Sequence, residues 1–159
     1  MKKIVYGVIA GFISALLSVA LYMNANFADM MMLESQSKYD FKTSIEKFKA
    51  AVKAEGWKNP KTYDLQKTMK KSLGKDVLAV KIFELCQPHH AYKILAANEE
   101  RIVSAMMPCR VAIYEKEDGK VYISRMNSGM MTGFFNELIS SVMKEAAHQN
   151  ENMIKVLLK

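Results

Sequence analysis

The side chains best suited to binding a soft metal lie in one stretch of this 159-residue chain. They are the only two cysteines, a histidine pair and a methionine pair: Cys86, His89, His90, Met106, Met107 and Cys109. Thiolate, imidazole and thioether together form the ligand set of copper sites, and sulfur ligands favour Cu(I). These residue types therefore indicate a copper or haem site, although Cys-x-x-Cys-His, the motif of covalently attached haem, is absent.

The two cysteines also have a plainer interpretation, as a disulfide. Cys86 ends a predicted strand and Cys109 begins another, so their sulfurs meet if the strands are antiparallel neighbours. In an oxidising compartment two cysteines in one small domain usually form a bridge, and closing this loop would contribute about 3 kcal/mol. A reactive thiol pair and two unpaired buried cysteines are the remaining alternatives.

Two charged residues stand beside these candidates. Glu84 shares a predicted strand face with Cys86, where it could act as an acid/base or support a bound group. An ion pair with Arg110 at the sheet edge is the simpler expectation. The sequence has no nucleophile elbow, Walker loop or dinucleotide fingerprint, so an enzyme that uses a thiol ranks last among the functions we weigh.

How the cysteines are interpreted depends on residues 4–23, which carry no charged side chain and follow Lys2 and Lys3. About 20 helical residues span about 30 Å, the thickness of a bilayer's hydrocarbon core. A cleavable signal has a shorter apolar core and small residues at its cleavage site, whereas the best site here contains Asn26. We expect a retained membrane anchor, with a cleaved signal as the alternative.

This interpretation divides the chain into a signal-anchor at residues 1–28, a juxtamembrane connector at 29–36 and a domain at 37–159. No basic residue follows the apolar run until Lys38, so the positive charge holds the N-terminus in the cytoplasm. The domain is then extracytoplasmic, that is periplasmic, on the cytoplasmic membrane. That compartment is oxidising, which favours the disulfide.

The expected partners follow from the same topology. Gly7 and Gly11 have the small-residue spacing that lets membrane helices pack closely, which allows a homodimer, and a membrane-protein partner is a further alternative. The formal net charge is +7, but the lysines are scattered, so we interpret them mainly as a solvated surface. Nucleic acid is not expected as a partner on that side of the membrane.

The elements that must position the candidates alternate between helix and strand. An amphipathic helix is predicted before Gly56, because apolar residues recur at helical spacing: Phe41, Ile45, Phe48 and Val52. Thr43 and Glu46 have capping-box spacing. A short basic helix at 65–73 follows, ended by Gly74. The nearly continuous apolar run at 77–85 predicts a strand buried on both faces.

The second half of the domain continues this alternation. Pro88, with Gln87 as its cap, begins a predicted helix, and Asn98 can cap a second helical piece that ends at Pro108. Asp118-Gly119 between two β-rich runs predicts a hairpin. A tail helix carries Phe134, Leu138, Val142 and Met143 on one side. Together these predict an α+β fold, a small central sheet with helices packed on it.

Four segments resemble one known family, domain of unknown function 302, and together the likeness covers roughly residues 35–150. They are the segment at 37–46, the run at 81–92 with its Gln-Pro turn, the run at 107–115 with its Met-Pro strand start, and the strand at 124–127 that follows the hairpin. The resemblance implies a small α+β domain, often dimeric, with no settled activity and with suspected ligand or haem binding. Its plainest members carry no cysteine at the turn, so this chain resembles a cysteine-bearing, membrane-anchored subgroup.

The leading hypothesis is therefore a membrane-tethered extracytoplasmic domain that binds an unidentified ligand and carries a structural bridge. The alternative is a copper- or haem-binding redox protein that uses the two cysteines and the nearby histidines and methionines.

Overall fold

The computed structural model describes residues 2–158, and the chain divides into two compact units, Met1–Met31 and Met32–Lys159. The first unit is one helix, α1 (Lys2–Met31). Counting only residues whose placement is described, no helix is long and apolar enough to cross a membrane. Part of the predicted anchor, including the side chains of residues 4, 5, 8 and 10, lies outside the described residues. The anchor stays a prediction.

The second unit is built on a five-stranded sheet in which every neighbouring pair is antiparallel. Its strands are β1 (Met32–Gln36), β2 (Thr62–Asp64), β3 (Val80–Leu85), β4 (Cys109–Glu115) and β5 (Val121–Met126). Their spatial order is β1-β5-β4-β3-β2. With the helices of this unit, the sheet confirms the predicted α+β class.

Helices lie in every connection of the sheet except the hairpin between β4 and β5, and they also follow the last strand. They are α2 (Phe41–Ala54), α3 (Leu65–Leu73), α4 (Pro88–Ala96), a 3₁₀ helix (Glu99–Met106), α5 (Ser128–Met131), a 3₁₀ turn (Thr132–Phe134) and α6 (Glu137–Lys155). The predicted bounds of α3 are confirmed, and Gly74 ends it with a φ of 67°, which glycine adopts without strain. Phe134 lies before the tail helix and is 74% exposed, so its predicted place on the apolar side of that helix was wrong.

The main core lies between one face of the sheet and the helices α2 and α6. Its buried side chains are Phe48, Val52, Trp57, Phe83, Leu85, Val111, Ile113, Val121, Ile123, Met153, Ile154 and Leu157. Phe48 of α2 meets Phe83 of β3 edge to face, with ring centroids 5.2 Å apart. This confirms the amphipathic helix predicted before Gly56. Its side-chain cap is Asp40 and not the predicted capping box, because the Asp40 carboxylate accepts from the Thr43 N–H.

Two strand predictions need correction. β3 begins at Val80, and only Phe83 and Leu85 are buried on it, so the run is not buried on both faces. The alternation arises because side chains of a strand point to opposite faces and only one face packs into the core. β1 occupies residues 32–36, part of the stretch expected to be a connector. Its sequence, Met-Leu-Glu-Ser-Gln, contains no β-branched residue, which is why it gave no strand signal.

An ion pair between a buried arginine and a half-exposed glutamate joins α6 to the sheet. Arg125 of β5 donates to both carboxylate oxygens of Glu151, Nε to Oε1 at 2.8 Å and Nη2 to Oε2 at 2.6 Å. Its Nη1 donates to Ser35 Oγ of β1 at 2.8 Å. These hydrogen bonds of the Arg125 guanidinium fix the position of α6, which supplies one wall of the candidate functional site.

A second, smaller apolar cluster lies between α4, the 3₁₀ helix and α6. Its buried members are Ile94, Val103, Ile139 and Val142, with Met106, Met107 and Met143 among the side chains packed against them. Pro88 begins α4 and the Gln87 side chain accepts from the His89 N–H, as predicted. Asn98 makes no side-chain cap for the 3₁₀ helix, contrary to expectation.

Candidate functional site

The two cysteines lie at the adjoining ends of neighbouring strands. β3 and β4 pair antiparallel, with Leu85 opposite Cys109, which confirms the arrangement expected to bring Cys86 and Cys109 together. Cys86 follows the last residue of β3 and forms a backbone bridge with Lys58 through hydrogen bonds of 2.8 and 2.9 Å. Both thiols are free.

The register places Cys109 directly opposite Leu85, the residue before Cys86. A disulfide needs Cβ atoms about 3.5–4.5 Å apart with converging directions. The bridge stays a prediction.

Beside the cysteines is a partly open cavity of about 250 Å³, lined by the ends of β3 and β4, α4, the 3₁₀ helix and α6. Methionines make up much of its wall: Met106, Met107, Met126, Met131 and Met143. Leu85, Ile94, Val103, Ile139 and Val142 supply most of the remaining apolar surface. The site is therefore mainly apolar and rich in sulfur.

Most of the residues singled out from the sequence line this one cavity. They are Cys86, His90, Met106, Met107, Cys109 and Arg110. His89 is absent from the lining, and its side chain is exposed in the first turn of α4. This agrees with the expectation that a helix directs neighbouring residues to different sides.

Glu84 lies on the sheet beside the cavity but does not line it. Its Oε1 accepts from the Tyr63 hydroxyl at 2.8 Å and lies 3.6 Å from Nη2 of Arg110. The expected ion pair is therefore present, and the Arg110 charge, at the exposed rim of the site, already has a carboxylate partner. Neither residue is placed to act as an acid or base within the cavity.

His90 and Trp57 share one hydrogen-bond acceptor, Gln149 Oε1, and this arrangement indicates which nitrogen of the neutral imidazole carries the proton. The Trp57 indole N–H can only donate, and it donates to Gln149 Oε1 at 2.8 Å. His90 Nε2 lies 3.0 Å from the same oxygen and must also donate to it. In its neutral form the imidazole would therefore carry its proton on Nε2 and have Nδ1 as an acceptor. Trp57 also packs edge to face on the His90 ring, at 5.9 Å.

Two buried acceptor atoms in the lining have no hydrogen-bond partner in the part of the chain that the structure describes. They are His90 Nδ1 and Asn150 Oδ1, on side chains whose residues are 8% and 7% exposed. Glu145 Oε2 lies 3.8 Å from His90 Nδ1, too far for a hydrogen bond. Buried polar atoms are nearly always paired in folded proteins, and these two exceptions have almost no surface of their own open to the cavity.

Burial raises the pKa of the Cys109 thiol, and the neighbouring Cys86 raises it further. The thiol, and not the thiolate, is then the form present near neutral pH, and thiols are weak nucleophiles and weak metal ligands. Among the described residues no group of three or more His, Cys, Asp or Glu side chains is placed to hold a metal ion. A metal here would have to use methionine sulfur as well.

Sequence reasoning missed three residues of the site: Trp57, Gln149 and Asn150. All three are far from the cysteines along the chain, and α6 brings the last two to the cavity. A signal was present for Asn150, because it continues the buried stripe of Val142, Ala146 and Met153 at helical spacing. A polar residue within an apolar stripe either has a buried partner or faces a site.

Comparison with known proteins gives a family and a fold. The family model described as "Domain of unknown function DUF302" matches residues 33–158. No curated protein matches. One similar solved structure is the crystal structure of an uncharacterized conserved protein of Bacillus stearothermophilus. The likeness has a TM-score of 0.71 at 18% identity and covers 80% of this chain and 98% of that one. At this identity it shows the fold alone.

Proposed function

Because the chain belongs to the DUF302 family, whose description names no activity, we propose a function from the cavity itself. The domain is a binding module that takes up one small, mainly apolar molecule. The observation that carries this proposal is the cavity of about 250 Å³ walled by methionine and aliphatic side chains. An apolar cavity of about 150 Å³ is already large enough to bind benzene, so this one has room for a substituted aromatic ring.

The composition of the wall supports the same conclusion. Maintaining a space of this size costs stability, because the side chains around it lose packing contacts. Methionine is unbranched and polarizable, so its side chains adapt to ligands of different shape and make favourable contacts with aromatic rings. Five of them in one wall, Met106, Met107, Met126, Met131 and Met143, suit a ligand site better than a tightly packed core.

We place this module at the outer face of the cytoplasmic membrane. The support is the uncharged run at 4–23 with Lys2 and Lys3 before it, which suits an anchor whose N-terminus stays inside. In that oxidising setting Cys86 and Cys109 would close into the predicted bridge beside the cavity, as in a cysteine-bearing, membrane-anchored subgroup of the family. A homodimer or a membrane-protein partner also fits this location.

A copper- or haem-binding redox function is the second candidate. One observation favours it: Cys86, His90, Met106, Met107 and Cys109 all line the same cavity. The donor set favours copper over haem, because thiolate, imidazole and thioether together are the ligands of copper sites. Thioether ligands favour Cu(I), but the raised pKa of Cys109 weakens one of the two thiols as a ligand.

Toluene binding tests the leading proposal. In the full chain labelled with ¹³C at the methionine methyl groups, we expect toluene to shift the resonances of the methionines that line the cavity. Ala91→Phe, in the cavity wall, should abolish these shifts, whereas Ala96→Phe, on an exposed position of the same helix, should preserve them. Absence of toluene binding in the wild-type chain, or its persistence in the Ala91→Phe variant, would refute the proposal.

Metal and thiol measurements on the same full chain distinguish the copper- or haem-binding function from the leading proposal. Stoichiometric Cu(I) binding that is lost in both Cys86→Ser and Cys109→Ser would establish a copper site. A chain that binds no copper under reducing conditions and shows no Soret band after incubation with haem would exclude it. Titration of an oxidised sample tests the bridge, because a closed disulfide leaves no thiol to react.

A further inference from the structure

We infer that one end of the five-stranded sheet rests on the lipid surface of a membrane, held there by exposed apolar side chains. This is the end at which the chain enters the second unit, at Met32, and we call it the entry end. The inference rests on the proposed location at a membrane and adds which surface of the domain meets the lipid.

The register of the strands shows which strand termini meet at the entry end. Met32 pairs with Met126, and Leu85 pairs with Cys109. β4 and β5 are antiparallel neighbours and so join these two pairs. The start of β1, the end of β5, the start of β4 and the end of β3 therefore lie side by side.

The chain connects the entry end to the predicted anchor without a loop. β1 begins at Met32, directly after α1 ends at Met31. At 1.5 Å per helical residue, residues 24–31 reach at most about 12 Å beyond an anchor that ends at residue 23. The headgroup region adds about 5–8 Å on each side of the hydrocarbon core, so β1 begins close to the membrane surface in a tethered chain.

Large apolar side chains are exposed on the elements that begin or finish at the entry end. They are Met32, Tyr92, Leu95, Ile102, Met126 and Phe134. Asn136 Nδ2 donates to Glu100 Oε1 at 2.9 Å, which brings the segment of Phe134 close to the 3₁₀ helix that carries Ile102. Exposed apolar surface of this kind marks a place where a protein meets a partner or a membrane.

The opposite end of the sheet differs in composition. It holds the hairpin between β4 and β5, whose residues 116–120 include four charged side chains. Leu73 and Leu78 are exposed there, but the connection that carries them has four charged residues at 70–76. The exposed aromatic side chains of the second unit, Tyr92 and Phe134, belong to elements of the entry end, and such rings favour the membrane–water interface.

The cavity lies at the same end of the sheet. α4 and the 3₁₀ helix line it with Ile94 and Val103, whereas the neighbouring side chains Leu95 and Ile102 are exposed. A domain that rests on lipid through these helices holds its cavity beside the phase in which apolar molecules concentrate. The bilayer is then the source of the small apolar ligand.

Quenching by brominated lipid tests this contact. The full chain is reconstituted into phosphatidylcholine vesicles with and without bromine on the acyl chains, and tryptophan emission is compared. Phe134→Trp and Ile102→Trp each add a reporter at the entry end, and Leu73→Trp adds the matched control at the opposite end; all three replace exposed apolar side chains. The wild-type chain gives the contribution of Trp57.

We expect brominated lipid to lower the added emission about twofold or more at positions 134 and 102, because interfacial side chains reach the acyl boundary, and much less at position 73. The second reporter position keeps the test decisive if one variant does not fold. Equal quenching at the two ends, or quenching at neither, would overturn the inference.

Two other outcomes would also overturn it, and they have different meanings. Added emission that shifts to the blue without quenching by brominated lipid would mean that a protein surface, such as a second copy of this chain, covers the entry end. A chain that does not sediment with vesicles would refute the membrane location together with this inference. Toluene binding tests the cavity independently of both results.

Discussion

The ion pair between Arg125 and Glu151 should respond very differently to the loss of its two members. The Arg125 side chain is 6% exposed, whereas that of Glu151 is 44% exposed. Glu151→Ala therefore leaves a buried guanidinium whose remaining side-chain partner, among the residues that the structure describes, is Ser35 Oγ. Arg125→Met leaves a carboxylate that water can reach, and it keeps an unbranched apolar side chain of similar length in the core.

The expected magnitudes follow from this asymmetry. Removing one partner of a buried pair costs about 3–5 kcal/mol, and we expect a loss at or slightly below the lower end of that range from Glu151→Ala, because the half-exposed site that the carboxylate vacates admits water to the Arg125 guanidinium. A half-exposed ion pair is worth about 1 kcal/mol or less, and we expect a loss of about that size from Arg125→Met. The double variant should be more stable than Glu151→Ala alone, because it no longer contains the unpaired buried charge.

Urea unfolding of the full chain measures these free energies, with fluorescence of Trp57 as the signal. Trp57 is the only tryptophan and is 4% exposed, so its emission reports directly on opening of the main core. Equal losses of unfolding free energy in the two single variants would refute the argument. So would a double variant that is less stable than Glu151→Ala.

Three further predictions concern turns, caps and titration. Gly119→Ala should lower the unfolding free energy by about 1–2 kcal/mol, because φ there is +72°. The control Gly133→Ala, at a site with open space and no positive φ, should change it by less than about 0.5 kcal/mol. Thermal unfolding measures both effects. Asp64 caps α3, and the backbone N–H of Lys67 holds the pKa of its carboxyl below the usual value. Asp64→Ala should therefore cost about 1 kcal/mol at neutral pH, and the loss should vanish as the pH falls through that lowered pKa. Burial, and then the hydrogen bond to Glu34, raises the pKa of Tyr114 to about 12, so its phenolate absorbance should develop near that pH and earlier in Glu34→Gln. The raised pKa stabilises the fold below about pH 10, and this contribution should be lost as the pH rises to about 12.

Local patterns in the sequence predicted the elements that depend on short-range chemistry. α2, α3, the start of α4 and the hairpin at Gly119 all lie where periodicity, caps and turn residues placed them. β1 could not be found this way, because it forms as an edge strand by pairing with β5, far along the chain. The one-sided burial of β3 was also hidden, since a run of apolar residues does not show which face of the sheet the helices will cover.

Part of the candidate site was also predictable from the sequence. The hairpin and the strand before it sufficed to bring Cys86 and Cys109 to one sheet end, and helix geometry decided that only one of His89 and His90 turns inward. The hydrogen bonds to Gln149 and the position of the Asn150 side chain depend on where α6 packs. Long-range contacts decide that position. The partners of a buried side chain are a tertiary property that spacing along the chain does not encode.

The separation of the two apolar clusters has a consequence for how this protein can diverge. The large core under the sheet carries most of the buried side chains, and Phe48, Phe83 and Ile123 there are fully buried. The smaller cluster around Ile94 and Val103 forms much of the cavity wall, to which the large core adds Trp57 and Leu85. Mutations in the smaller cluster can therefore change the size and shape of the cavity while the larger core preserves the fold. Under the binding function proposed above, such changes would alter which molecules fit without a new fold.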